Sequence, residues 1–148
     1  MEGKPIIYTY GNISIDVKDL LCILQPYHIN YVVDCRPQTY TRSIQNTPAD
    51  QLQEVLQQHN ITFLPCVQHF GVFPSEVRNS KGNILYSKVI KSNNFLEGIK
   101  LIEQEMQEGH TICIIDNQKE IVQSRRYTFI GKYLHEKYTV CHLIPAGI

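Results

Sequence analysis

Charged side chains lie where the second apolar run of the sequence ends. Asp34 and Arg36 flank the end of the run Asn30–Cys35, and Arg42 follows in the next loop. Side chains alternate between the two faces of a strand, so Asp34 and Arg36 share one face and Cys35 lies on the other. A guanidinium oriented by an acid is a good donor to phosphate or carboxylate. The alternatives are an ion pair that only ties the loop to the sheet, and a Cys35 thiolate activated by its cationic neighbour.

Two further arginines, Arg125 and Arg126, lie near the start of the last predicted helix, in the segment that follows Asp116. The N-terminus of a helix attracts anions, and an arginine there strengthens the attraction. Neighbouring residues on a helix point about 100° apart, so at most one of the two arginines can face a ligand. We take Arg125 as the candidate ligand-binding residue; the alternative is that both are solvated surface charges.

Acid–base chemistry has three candidates, each of which follows a predicted strand. Asp34 and Asp116 are carboxylates that could act as bases, and His69 titrates near neutral pH and could assist them. The alternative for His69 is a partly exposed loop histidine. Four histidines at the ends of predicted elements receive no role: His28, His59, His110 and His135.

The cysteines do not form a metal-binding pattern. They number five and are scattered, as expected of small buried side chains in a reducing compartment. Cys66 and His69 have a ligand-like spacing and Cys141 precedes His142, but neither pair completes a four-ligand zinc site. The short motifs of dinucleotide-binding proteins, Walker-type nucleotidases, serine hydrolases and zinc proteases are absent. We therefore predict no metal and no cofactor.

Five short runs rich in β-branched and aromatic residues predict strands, and helical patterns lie between them. Three of the runs are almost continuously apolar, as in strands that helices cover on both faces. The alternation predicts a three-layer, Rossmann-like α/β fold with a mostly parallel sheet. The predicted strands are Pro5–Tyr10, Asn30–Cys35, Ile61–Val67, His110–Ile115 and Tyr138–Ile144.

Capping signals mark the predicted helices. Ser14 and Thr47 are N-caps of the first two helices, and a third helix begins at about Ser92 and stops at Gly109. The apolar stripe of the third helix is predicted from helical spacing to consist of Phe95, Leu96, Ile99, Ile102 and Met106. The stripe of the last helix is predicted to consist of Val122, Phe129, Ile130, Tyr133 and Leu134.

The segment Gly71–Ile90 contains Pro74, Gly82 and Asn83 and is predicted to be a long loop with a hairpin. Its apolar residues are expected to be exposed, where they could dock a partner or a second copy of the chain. These residues are Val72, Phe73, Ile84 and Leu85.

Ligands of open parallel sheets bind beyond the carboxyl ends of the strands. This rule selects Gly11 and Asn12 after the first strand. It also selects the polar residues at the ends of the second, third and fourth strands, among them Asp34, His69 and Asp116. The strand interiors are apolar whereas these exits are polar, which is the pattern expected of a binding site.

Length and composition set limits on the function. The 148 residues are enough for one domain, 1–148, and 43% of them are hydrophobic against 19% charged. A formal net charge of +0 gives no field that would attract nucleic acid or a membrane surface. No stretch is long enough for a membrane helix and no signal peptide is recognisable, so we expect a cytoplasmic protein.

Three segments in matching order resemble the domain-of-unknown-function family numbered 488. Ile7–Asn12 resembles its opening Tyr-Thr-x-Gly-His element, and Val32–Pro37 its Val-Asp-Val-Arg strand end. In the tail, Gln123–Arg126 stands in the place of a Cys-His-Arg-Ser motif, and Val140–Leu143 in that of the closing Val-x-His-Ile. The resemblance covers nearly the whole chain and implies a Rossmann-like sheet with a cleft that includes Tyr8.

The chain departs from this family at its cysteines and histidines. Asn12 replaces the opening histidine, Gln123 and Ser124 replace the Cys-His pair, and the first tail cysteine falls at Ile115 or Asp116. Asn12 can hydrogen-bond a ligand but does not transfer protons at neutral pH. The residues that the resemblance leaves for recognition are Asp34, Arg36, Arg42 and Arg125.

Three functions follow from these patterns. The first is binding of a small anionic, phosphate-bearing ligand at the carboxyl ends of the strands. The second is an enzyme that acts on a nucleotide or nucleic-acid substrate through Asp34, Asp116 and His69. The third is a non-catalytic interaction module, including a homodimer. The sequence leaves open whether the chain is an enzyme.

Overall fold

The computed structural model describes residues 4–11, 17–35, 49–70, 73–116 and 126–143. All five predicted strands are present, each a little shorter than predicted, and they form one sheet in which all neighbouring strands run parallel. The strand order is β3-β2-β4-β1-β5. The strands are β1 Ile6–Tyr10, β2 Tyr31–Asp34, β3 Thr62–Pro65, β4 Ile112–Ile115 and β5 Thr139–Leu143.

Helices fill the connections between the strands. The first connection contains α1 and a 3-10 turn, Gln25–Tyr27, and the fourth contains a π-helical segment, Arg126–Gly131, that continues into α6. The α-helices are α1 Val17–Leu24, α2 Ala49–Gln58, α3 Val67–Phe70, α4 Tyr86–Val89, α5 Asn93–Gln107 and α6 Lys132–Leu134. No described helix is both long and apolar enough to pass through a bilayer.

Alternation along the strands divides the core into two layers. Odd-numbered residues of β2, such as Val33, pack with α5 and α6, whereas Val32 packs with α1 and α2. We name the two sides of the sheet the α5 face and the α1 face. The predicted three-layer α/β fold is therefore confirmed. The helix residues that cover the α1 face are Leu20, Leu21, Leu24, Leu52 and Leu56, and those on the α5 face are Phe95, Ile99, Ile102, Ile130 and Leu134.

The strand order creates a switch point between β2 and β4. From β2 the chain continues to the sheet edge formed by β3, whereas from β4 it continues to the opposite edge formed by β5. Connections that leave neighbouring strands in opposite directions open a crevice at the end of the sheet where the strands terminate. We call this end, which begins at Gly11, Cys35, Cys66 and Asp116, the carboxyl edge.

The boundaries of α5 agree with the prediction. The Ser92 hydroxyl accepts a hydrogen bond from the Phe95 N–H at 3.3 Å, and Gly109 has a φ of 96°, which favours glycine at the helix end. The prediction that Leu96 belongs to the apolar stripe of this helix is wrong, because its side chain is exposed. The predicted N-caps Ser14 and Thr47 lie outside the described residues.

The segment between α3 and α5 is more ordered than a loop. It contains the 3-10 turn Ser75–Val77, an antiparallel bridge between Arg78 and Ile84 as expected of the predicted hairpin, and α4. Arg78 ties the segment together by donating from Nε to the Phe73 carbonyl and from Nη1 to the Gly82 carbonyl. The expected exposure of Phe73 and Ile84 is wrong, since both pack against the core. Leu85 is half-buried, and Val72 lies outside the described residues.

Candidate functional site

A cavity of about 620 Å³ lies at the carboxyl edge, between the end of β3 and the beginning of α5. Its walls come from α3, from the segment between α3 and α5, and from the first turn of α5. We call it the His69 cavity. Its polar lining is His69, Glu76, Lys88, Lys91, Ser92, Asn93 and Asn94, and its apolar lining is Phe73, Pro74, Val77, Val89 and Phe95.

The end of β3 places His69 on a helix rather than in the loop that the sequence predicted. The Cys66 carbonyl accepts hydrogen bonds from the N–H groups of His69 at 3.2 Å and of Phe70 at 2.9 Å, which starts a helical turn directly after the strand. Phe70 is buried edge-on against Phe95 of α5, with ring centroids 5.6 Å apart. The buried phenylalanine therefore anchors the turn and leaves His69 at the cavity wall.

Gly98 allows this anchor to approach α5. A β-carbon at Gly98 would lie 2.4 Å from Cζ of Phe70 and 2.8 Å from Cβ of His69, distances that real β-carbons do not reach. Only a residue without a side chain lets the two helices meet here. The position of His69 relative to the first turns of α5 thus depends on a glycine in the helix interior.

The surroundings of the His69 imidazole favour its neutral form. Burial lowers the pKa of His69 from its ordinary value of 6.5, and the negative charge of Glu97 opposes this effect only in part. Its Nδ1 is buried and has no hydrogen-bond partner within the described part of the chain. A buried ring nitrogen without a partner is costly, and this cost adds to the effect of burial on the imidazole.

Positive charge and helix geometry favour an anion in the His69 cavity. Lys88 and Lys91 contribute two cations, whereas Glu76 is the one acidic residue of the described lining. The amides of Asn93 and Asn94 lie in the first turn of a 15-residue helix, where N–H groups have no intrahelical acceptor. Free N–H groups at the positive end of a helix dipole are common ligands of phosphate and carboxylate oxygens.

Asp34 and Asp116 also lie at the carboxyl edge, at the ends of the neighbouring strands β2 and β4. Both are fully buried and both take part in polar interactions. The backbone ties them into the sheet: the Asp34 carbonyl accepts from the Cys66 N–H at 2.9 Å, and the Asp116 N–H donates to the Tyr10 carbonyl at 3.0 Å. Neither lines the His69 cavity, so a ligand in that cavity would be contacted by His69 and not by these acids.

The remaining predicted site residues are distributed as follows. Gly11 is buried directly after β1. Tyr8 packs on the α1 face, where its ring meets that of Tyr27 at 5.1 Å, so it lies across the sheet from the His69 cavity. The other four predicted residues lie outside the described part of the chain: Asn12, Arg36, Arg42 and Arg125.

The cysteines at the carboxyl edge are buried and inert. The Cys35 thiol is fully buried and donates to the Ile115 carbonyl at 3.2 Å, which leaves the thiolate hypothesis without an accessible nucleophile. Burial, with a contribution from the charge of Asp34, raises the pKa of Cys66 to about 12. Cys22 on α1 is the exposed cysteine among the described residues.

Sequence reasoning gave no role to a pair that joins β1 and β5. Thr9 is fully buried, and its hydroxyl forms a short hydrogen bond with Nδ1 of His142 on the neighbouring strand. His142 also lines a second cavity, of about 580 Å³, whose basic groups include Lys4, Lys132 and His135. The signal available in the sequence was that Thr9 and His142 stand in the two segments that resemble the opening and closing elements of the domain-of-unknown-function family 488.

No family model, no curated protein and no solved structure matches the chain. The resemblance to the domain-of-unknown-function family 488 therefore stays a prediction from the sequence.

Proposed function

We propose that the protein binds a small anionic ligand that carries a phosphate group at the carboxyl edge of its sheet. The observation that supports the proposal most strongly is the His69 cavity. There two lysines, the free amides of the first turn of α5 and the side chain of His69 line one space.

The arginines predicted from the sequence extend this proposal. Arg36 directly follows Cys35 at the end of β2, and Arg125 directly precedes the described start of the last helix. Guanidinium groups bind phosphate in a bidentate manner and would add affinity that lysines and amides alone do not provide. We therefore include Arg36, Arg42 and Arg125 in the proposed ligand-binding set.

A thermal-shift screen tests the proposal. Inorganic phosphate, pyrophosphate, sulfate and nucleoside mono-, di- and triphosphates are compared on the wild type, Lys88→Ala, Lys91→Ala and Arg36→Ala. Lys137→Ala is the matched control because Lys137 is exposed beside Glu103, away from the cavity. A ligand-induced rise in Tm that is smaller in the three variants and unchanged in the control supports the proposal. Equal responses in all proteins refute it.

A second candidate function is an enzyme in which His69 is the base. Burial lowers the pKa of His69 and so favours the neutral imidazole, which is the form that accepts a proton, and His69 lines the cavity. Release of phosphate from the ligands that bind in the screen, measured for the wild type and His69→Gln, tests this reaction. No turnover, or equal turnover in both proteins, leaves binding as the function.

A further inference from the structure

Three side chains that bind metals in many proteins meet at the end of the sheet opposite the carboxyl edge. The carboxylates of Glu105 and Glu108 and the imidazole of His110 each offer a ligand atom, and these atoms lie within 4.8 Å of one another. We call this group the Glu-Glu-His cluster. The cluster and the His69 cavity lie at opposite ends of α5, because the helix begins at the cavity and ends at the cluster.

The backbone brings the cluster together without help from a ligand. Gly109 adopts a φ of 96° after the last turn of α5, and the His110 N–H donates to the Glu105 carbonyl at 3.1 Å. This hydrogen bond closes the helix end and turns the chain back over its last turn. Tyr31 of β2 holds the imidazole from the other side, with ring centroids 5.2 Å apart. The position of the imidazole beside the end of α5 is therefore fixed by the backbone and by Tyr31.

The charges of the cluster are unfavourable unless a cation is present. Glu105 and Glu108 sit at the carboxyl end of a 15-residue helix, which is the negative end of its dipole, and the last turn contains no basic residue. His110 lies 3.4 Å from Glu105 but supplies a positive charge only when it is protonated.

We propose that Glu105, Glu108 and His110 bind a divalent transition-metal ion of the Zn²⁺ class. One imidazole nitrogen and two carboxylate oxygens form a three-ligand set that leaves a fourth position for water. The imidazole distinguishes the site from Mg²⁺ and Ca²⁺ sites, whose ligands are oxygens. Because Glu105 and Glu108 belong to the end of α5 and His110 precedes β4, the ion would link the helix to the strand and stabilise the fold by mass action.

Calorimetric titration of the full-length chain with Zn²⁺ tests the proposal, with Mg²⁺ as the ion of the wrong class. The variants are His110→Ala and Glu108→Gln, the second on an exposed residue whose replacement leaves the core intact. His59→Ala is the matched control because His59 is also a histidine that follows a helix, and it is exposed. We expect one Zn²⁺ per chain, at least about tenfold weaker binding in both variants and unchanged binding in the control.

The free cysteines require a second readout. Co²⁺ bound by thiolates gives an intense sulfur-to-metal absorption band, which a Glu-Glu-His site lacks. A Co²⁺ spectrum with this band, Zn²⁺ binding that survives both substitutions, or no binding of Zn²⁺ each overturns the proposal. Glu108→Gln is also expected to leave any response to phosphate unchanged, so the failure of this site and the failure of the His69 cavity are distinguishable.

Discussion

A β-carbon on Gly98 would lie 2.8 Å from Cβ of His69. The glycine therefore sets how closely the turn that carries the histidine can approach α5, and with it the shape of the proposed ligand cavity. This relationship links a packing requirement in the helix interior to the chemistry at the carboxyl edge.

Gly98→Ala is expected to destabilise the protein by about 1–3 kcal/mol, because the added methyl group must displace Phe70 and His69. Urea unfolding measures the loss, and Leu96→Ala, at an exposed position of the same helix, is the control, with an expected change of about 0.5 kcal/mol or less. Combining Gly98→Ala with Phe70→Leu should recover part of the loss, since the clash is with the ring. Simple additivity of the two substitutions would contradict this explanation.

His69 should make the stability depend on pH near neutrality. Its pKa in the folded protein is lower than its ordinary value of 6.5, so the unfolded chain binds the proton more readily. The contribution is fully present above 6.5 and is lost as the pH falls through the folded pKa. Unfolding free energies measured from about pH 8 to about pH 5 should fall less steeply in His69→Gln than in the wild type. His59→Gln serves as control, and a slope in His69→Gln equal to that of the wild type would be contrary to expectation.

The hydroxyl of Tyr138 donates to Oε2 of Glu103 at 2.8 Å and joins the start of β5 to α5. Tyr138→Phe is expected to cost about 1 kcal/mol, a value reduced from that of a buried charged hydrogen bond because Glu103 is partly exposed. Lys137→Ala, which removes the neighbouring ion pair with Glu103, is expected to cost less because Lys137 is 70% exposed. A larger loss in the lysine variant would show that charge and not the hydroxyl matters.

The same hydroxyl has a predicted signature at high pH. Burial, then the hydrogen bond and the charge of Glu103, raise the pKa of Tyr138 from 10.0 to about 12. The stabilisation is therefore complete below pH 10 and is lost as the pH rises towards 12. The difference in unfolding free energy between wild type and Tyr138→Phe should shrink over this range, and a constant difference would argue against the assigned hydrogen bond.

Alkylation of the native protein should modify Cys22 first and leave the buried thiols Cys35, Cys66 and Cys113 unmodified until the chain unfolds. Cys66 should be especially slow because its raised pKa keeps it protonated. Mass spectrometry of peptides after timed labelling gives the order. Early modification of Cys35 would revive the thiolate hypothesis.

Much of the fold could be predicted because apolar periodicity determines it locally. The continuous apolar runs that form β2 and β4, and the start of α5 near Ser92 with its stop at Gly109, are signals carried by nearby residues. The strand order could not be predicted in this way, because it depends on which runs distant in sequence pair with one another. No local pattern encodes that β4 lies between β2 and β1.

The candidate site was predictable only in part. His69 was selected because it follows a strand, but its helical turn depends on Phe70 reaching Phe95 across Gly98, which is a tertiary contact. Lys88 and Lys91 gave no signal because they lie in a segment whose fold comes from its own hairpin and its packing on the core. The Glu-Glu-His cluster was missed because Glu105, Glu108 and His110 match no short motif until the Gly109 turn brings them together.

An anion seated at the amino end of α5 should be visible in an NMR titration with inorganic phosphate and pyrophosphate. We expect saturable shifts of the backbone amides of Asn93 and Asn94 and of the His69 ring, and we expect a Lys88→Ala/Lys91→Ala double variant to lose them. Unchanged resonances at Asn93, Asn94 and His69, or shifts confined to the cavity beside His142, would contradict it.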